Sequence, residues 1–418
     1  MQRRGLLGVM ATAACLGTVP GVADAATFCV QKPKCVNAGG TSVSNLGNAI
    51  TSAAANGGSR DRIELGAKDF DDGPWTAGAG NPVNIVGMGE GKTTLRRLGT
   101  SIPATILSLG DSASRASGFR LVINEGNGAT GILTAGRLDR VRVSAPTAAF
   151  GQIGVLLTSG GLLSRGNVSM PLANSSVAVG ISGDSAKARN STLRADIGLT
   201  GGGFEEPAIG TRLRIKAQTA GVATSSNLIL DQGTIRLVAD TGGEGLRASS
   251  SSGTQTVVAR HLTIVGSGGD DSVGVISNAL GVAPSNCPVT NLVLRNSIVR
   301  GFDTDLMRSA TTISCSTAVA RLNLAWNVFR PLSVAESGDG VITTGKGNLN
   351  ANPRFVKPAN GNYRLKASSP LIDRGQPGKP GQGESKVDLD GRNRVLDGDG
   401  KAGKRRDIGA FERKAASG

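Results

Sequence analysis

Between Phe119 and Phe329 one short phrase keeps returning: an apolar residue, usually an arginine, then another apolar residue. It reads Phe119-Arg120-Leu121, Val141-Arg142-Val143, Leu193-Arg194-Ala195, Leu213-Arg214-Ile215 and Ile235-Arg236-Leu237, with weaker echoes at Val168-Ser169-Met170 and Leu262-Thr263-Ile264. Taking the first apolar residue as anchor, the steps from Phe119 to Leu262 are 22, 27, 25, 20, 22 and 27 residues. A recurrence near two dozen residues, in apolar/polar alternation, marks a stacked solenoid. The 62 glycines are about twice the usual share and end short apolar runs, as the turns of an all-β chain require. Nine Phe, two Trp and one Tyr suffice where a narrow interior is filled by Val, Ile, Leu and Ala.

In a strand the two apolar residues of each phrase face one way and the residue between them faces the other. Phe119, Leu121, Val141, Val143, Leu213 and Ile215 are therefore expected inside. Arg120, Arg142, Arg194, Arg214 and Arg236 are expected outside, on turns about 4.8 Å apart. The position before the anchor also faces out and adds Arg140, Arg212 and His261. A basic stripe results. Its bland explanation is that arginine stems cover apolar surface well; against that, like charges stacked across strands cost free energy. The net charge of +15 points the same way, toward a polyanionic partner, although a solvated basic surface also keeps an exported protein soluble.

Met1 to Ala25 reads as a secretory signal, with Arg3-Arg4, an apolar run from Leu6 to Leu16 and Ala23-Asp24-Ala25 as the small-x-small cleavage site. Cys15 after Thr12-Ala13-Ala14 is a poorer, lipoprotein-type alternative. No later stretch is apolar enough over about 20 residues to span a membrane, so a secreted, extracellular product is expected. Export makes the remaining cysteines legible as disulfides, Cys29–Cys35 and Cys287–Cys315 being the economical pairing; with one His and no two-residue Cys spacing, a metal site competes poorly. Residues 26–60 are expected to form an N-terminal cap. Within it a helix over Ser42–Ala55 would be capped by Ser42 or Ser44, with Leu46, Ala49, Ile50 and Ala53 on one face. The solenoid is expected over 61–350, and two late turns, Asn291–Val299 and Arg321–Phe329, align at a step of 30. From about Asn352 the composition changes to Gly/Pro loops, and residues 351–418 read as a C-terminal cap.

The turns, with phrases such as Arg295-Asn-Ser-Ile-Val299, resemble secreted right-handed parallel β-helix proteins of the pectin-lyase-like superfamily. The ending resembles the choice-of-anchor Q module, through Asn352-Pro353, Phe355, Tyr363, Leu365, Ser369-Pro370, Ile372-Asp373, Gly375, Asp388, Asp390-Gly391, Arg394 and Asp407 to Glu412. The implied fold is all-β: a right-handed parallel β-helix with an N-terminal amphipathic helix and a loop-rich C-terminal cap.

Relatives of this type cleave acidic polysaccharides by β-elimination, with calcium and an Arg or Lys base, or hydrolyse them with paired carboxylates. Gly269-Asp270-Asp271 resembles the paired aspartates of the hydrolases, but His261 and Arg214-Ile215-Lys216 both precede the pair, the reverse of the family order. Asp270 and Asp271 are thus catalytic candidates with a polar loop as the plain alternative, as is the Asp303-Thr-Asp305 loop. The residues Asp388, Asp390, Asp397 and Asp399 look like fragments of calcium loops, so Ca2+ is the one cofactor the pattern admits; pairing with Arg392, Arg394, Lys404, Arg405 and Arg406 is the alternative.

The expected function is an extracellular protein that binds an anionic polysaccharide or cell-surface glycan through its arginine stripe, with no catalytic set evident. A polysaccharide lyase or glycoside hydrolase is the second reading, and a structural, adhesin-like surface protein the third. A monomer is expected. With so few aromatics for base stacking, nucleic acid is a poor partner.

Overall fold

In the computed structural model the described residues are 24–57, 59–97, 105–124, 126–282, 284–401 and 403–415. The expected signal peptide, apart from Asp24 and Ala25, lies outside them. Among the described residues twenty-eight strands form one continuous parallel sheet that coils into a right-handed parallel β-helix. Each turn contributes a segment to three flanks. Flank A runs through Asp61–Leu65, Val83–Val86, Leu162–Ser164 and Lys187–Arg189 to Val289–Arg295 and Val319–Ala325. Flank B holds the recurring phrase, and flank C runs through Thr130–Thr134, Ile153–Leu157 and Val177–Ser182.

The interior is a stack of aliphatic columns. Leu121, Val143, Val168, Leu193, Ile215, Ile235, Ile264 and Val299 lie in register on successive turns and are all buried. This corrects the sequence alignment in four places. Val168 pairs with Val143 rather than Val141, Leu193 with Ile215 rather than Leu213, Ile235 with Ile215 rather than Leu213, and Ile235 with Ile264 rather than Leu262. The physical reason is the two-residue side-chain period: a slip of two keeps every residue on its proper face, so apolar alternation alone does not resolve it.

Flanks A and B meet at a corner made by one residue in the left-handed region. Gly118, Arg140, Arg165, Asn190, Arg212, Gln232, His261, Asn296 and Trp326 occupy it on successive turns, with φ between 49° and 70°. Left-handed backbone costs an L-residue about 1–2 kcal/mol. That it recurs eight times without glycine means the ladder on either side imposes the bend.

The N-terminal end is covered by a helix at Leu46–Ala55, whose Leu46, Ala49, Ile50 and Ala53 are buried as expected. The helix is shorter than predicted: Thr41–Val43 is a strand, and the cap is Asn45, whose side chain accepts from the Asn48 N–H at 2.8 Å. The Cys29–Cys35 disulfide is formed. Cys287 and Cys315, expected as a second disulfide, are instead free thiols lying in hydrogen-bond contact on neighbouring turns.

The C-terminal segment folds back along the side of the solenoid. Leu365, Leu371, Ile372 and Ile408 pack on Ile298 and Val328, two solenoid residues of the later turns. Backbone contacts extend the footprint: Ala410 donates to the Thr263 hydroxyl (3.0 Å) and Ser385 to the Asp231 carboxylate (2.6 Å), while the Gly383 carbonyl accepts from Arg260 (2.7 Å). The segment is a side cover over the A/B corner.

Candidate functional site: an arginine-lined groove

The same corner is uncovered over the earlier turns, and there the surface is concave. On flank A the outward positions Arg62, Asn84, Arg115 and Arg137 stack in register, and beside them Glu64, Val86, Ser117, Asp139, Ser164 and Arg189 form a second column. Small side chains make the floor. Arg62, Arg115, Arg137, Arg140, Arg165 and Arg189 line the resulting hollow of about 400 Å³. It spans six turns, or about 24 Å along the solenoid axis at 4.8 Å per turn.

Asp139 is the single carboxylate in this lining. Partial burial pushes its carboxyl up, but the guanidinium groups of Arg165 and Arg140 outweigh that and hold it below its ordinary range. The Arg165 Nε donates to Asp139 at 2.7 Å and a second bond from its other nitrogen completes a fork; Arg140 Nε lies 3.3 Å away. Arg62 is paired with Glu64 at 2.6 Å, and Lys32 holds the other Glu64 oxygen. Among the described residues, no carboxylate pairs with Arg115, Arg137 or Arg189, all three exposed. Their unpaired positive charge lies in a recess, a geometry that concentrates anions. Toward the N-terminus Arg62 also lines a second hollow of about 650 Å³, with Lys32 and Lys34 in its wall.

The predicted stripe is divided by this geometry. Arg140 belongs to the groove. Arg120 and Arg142 stack directly on flank B, but Asn167 and Thr192 follow them before Arg214. Arg194 and Arg236 lie in the next outward column, with Lys216 between them. The stripe is two broken columns rather than one line. Its later members meet the C-terminal segment: Arg214 lies 3.6 Å from Asp390, Gly391 rests against the Arg212 guanidinium, and Tyr363 feels the charge of Arg236. His261 is sealed under that segment, where burial and the nearby Arg394, Arg406 and Arg260 push its imidazole well below its ordinary range.

Asp270 and Asp271 are exposed in a loop between flanks B and C and take no part in the groove lining. Asp305 is buried between Arg300 and Arg330, a structural role. The four calcium candidates separate. Asp388 is buried and accepts backbone N–H groups of Asp390, Arg392 and Glu412. Asp390 is forked by Arg364 at 2.7 Å on both oxygens. Asp397 and Asp399 instead approach Asp373, a residue outside the predicted set, with ligand-type oxygens within 4.8 Å of one another. Asp373 already accepts the N–H groups of Gly398 and Asp399.

The sequence reading missed Arg62, Arg115, Arg137, Arg165 and Arg189. A signal for three of them is present: Arg115, Arg137 and Arg189 each stand four residues before an anchor, Phe119, Val141 and Leu193.

No family model matches this sequence, and no curated protein does. Solved structures of similar shape include the A-module of the Azotobacter vinelandii mannuronan C-5 epimerase AlgE4, at 13% identity and a TM-score of 0.38 over 74% of this chain and 95% of that one. Pectate lyase Pel9A matches at 14% identity and a TM-score of 0.40 over 94% and 97% of the two chains. The Agl-KA catalytic domain matches at 13% identity and a TM-score of 0.43 over 72% and 64%. At such scores the likeness lends nothing to a functional reading, which rests on the groove.

Proposed function

We propose that this chain is a secreted protein that binds a linear acidic polysaccharide or other anionic envelope glycan in the groove over its early turns. The observation that carries this is the set of three unpaired arginines, Arg115 and Arg137 on adjacent turns and Arg189 two turns further on, in a recess with one already neutralised carboxylate. A polymer laid along the solenoid axis would meet free guanidinium groups at Arg115, at Arg137 about 4.8 Å on, and at Arg189 about two turns beyond that. Binding, rather than cleavage, fits the lining: hydrolysis needs a second carboxylate facing the first, and Asp139 has none beside it there. The Cys29–Cys35 disulfide is consistent with an exported chain, and no described helix is long and apolar enough to cross a membrane.

We read residues 351–418 as a choice-of-anchor Q-like module. The matched positions are those that hold the segment together: Ser369 donates to the Pro353 carbonyl (2.7 Å), Phe355 meets Tyr363 edge to face, and Arg394 pairs with Glu412 at 2.8 Å.

The test is binding to immobilised polygalacturonate at rising salt. Retention by the wild type at low salt, lost as salt screens the guanidinium groups, is the expected result. Retention that is absent at low salt, or unchanged by salt, removes the proposal. Release of unsaturated or reducing ends during the incubation would instead establish the enzyme reading.

A further inference from the structure

The groove and the C-terminal segment occupy one flank end to end, and the junction is abrupt. The groove lining stops at Arg189, which pairs in register with Thr211 on the next turn. The residue after Thr211 is the corner residue Arg212, and against it lies Gly391: a Cβ at that position would stand 3.7 Å from the guanidinium. Beside it the Leu389 carbonyl accepts from Arg214 at 3.5 Å and the Asp390 carboxylate lies 3.6 Å away. On the following turns residues 383–385 roof Asp231 and Arg260. The side chains record the boundary. Up to Arg212 the corner carries Arg140, Arg165, Asn190 and Arg212; beneath the cover it carries Gln232, His261 and Asn296, all buried.

The cover does not lift easily. Apolar packing on Ile298 and Val328 and the hydrogen bonds to Thr263 and Asp231 tie it down. At the other end Arg62 stands between the groove and the hollow lined by Lys32 and Lys34, and no described segment of the cover lies across it. A polymer in the groove would thus meet a wall at one end and open space at the other.

We propose that the loop Asp388–Arg392 is an end wall, and that the groove receives the terminus of an anionic chain rather than its interior. Asp390 and the Leu389 carbonyl occupy Arg214 on the turn beneath the wall, so the last open cation is Arg189 and the chain end stops there. This rests on the groove being the glycan site, and the experiment separates the two claims. Wild-type protein is titrated with polygalacturonate fractions of graded length, and the number of protein molecules per chain is read by sedimentation. End recognition predicts that doubling the chain length leaves the count per chain unchanged, and that a bulky label on one chosen end of the chain abolishes binding. A count that doubles with length, or binding indifferent to a label at either end, overturns the end wall and leaves the groove reading standing. No binding to any fraction removes both.

Discussion

At the residue scale, the most constrained group is Glu412, beneath the C-terminal cover. Burial pushes its carboxyl up to about 8, against the pull of Arg394. The folded value lies above the unfolded value of about 4.3, so the folded state keeps a proton that the unfolded state releases. Its stabilising contribution is complete below about pH 4 and is lost as pH rises toward 8, at up to about 1.4 kcal/mol per pH unit. His261 has the opposite sign: its folded value is lowered, so its contribution is complete above about pH 6.5 and is lost as pH falls. Melting temperature against pH is the measurement. Glu412→Gln, which mimics the neutral acid, should flatten the decline from pH 5 to 8. Cysteine reactivity gives a second test. Contact with Cys315 and then the Thr317 and Ser316 groups lowers Cys287 to about 7, whereas the same contact and burial raise Cys315. Alkylation at pH 7.5 should modify Cys287 first. We propose that a mild disulfide oxidant closes the pair, with loss of two hydrogens in mass; a dithiol that survives excess oxidant would refute this.

At the element scale, the left-handed corner decides what substitutions are tolerated. Arg165→Gly should leave the melting temperature nearly unchanged, since glycine accepts φ near 54°. Arg165→Val should lower it, because a β-branched side chain tolerates a positive φ less well than the arginine it replaces. Asn45→Ala removes the N-cap of the terminal helix and should cost about 1 kcal/mol by denaturant unfolding. The solenoid itself was legible in the sequence, because inward positions such as Val143 and Ile235 repeat with the side-chain period. Its register was not, since a two-residue slip leaves both faces correct. The corner escaped detection too: Arg140, Gln232 and Trp326 share a conformation rather than a chemistry, and residue type does not announce it.

At the scale of the whole molecule, a basic solenoid is divided lengthwise into a covered half and an open half. The sequence reading found the charge and the cover but placed them separately, as a stripe on flank B and a cap at the end. What it lacked was long-range contact. Nothing in the order of residues says that Asp390 returns to Arg214, or that His261 is sealed by residues more than a hundred positions later. The central claim is that the recess, and not the overall charge, selects the polyanion. It is tested most directly by two charge-matched variants, Arg115→Glu/Arg137→Glu in the groove and Arg142→Glu/Arg194→Glu on flank B. Both have the same net charge, and equal melting temperatures establish that both are folded. The account predicts that the groove variant binds polygalacturonate about tenfold or more weakly than wild type, equivalent to about 1.4 kcal/mol, while the flank variant stays close to wild type. Equal losses in the two variants would contradict it.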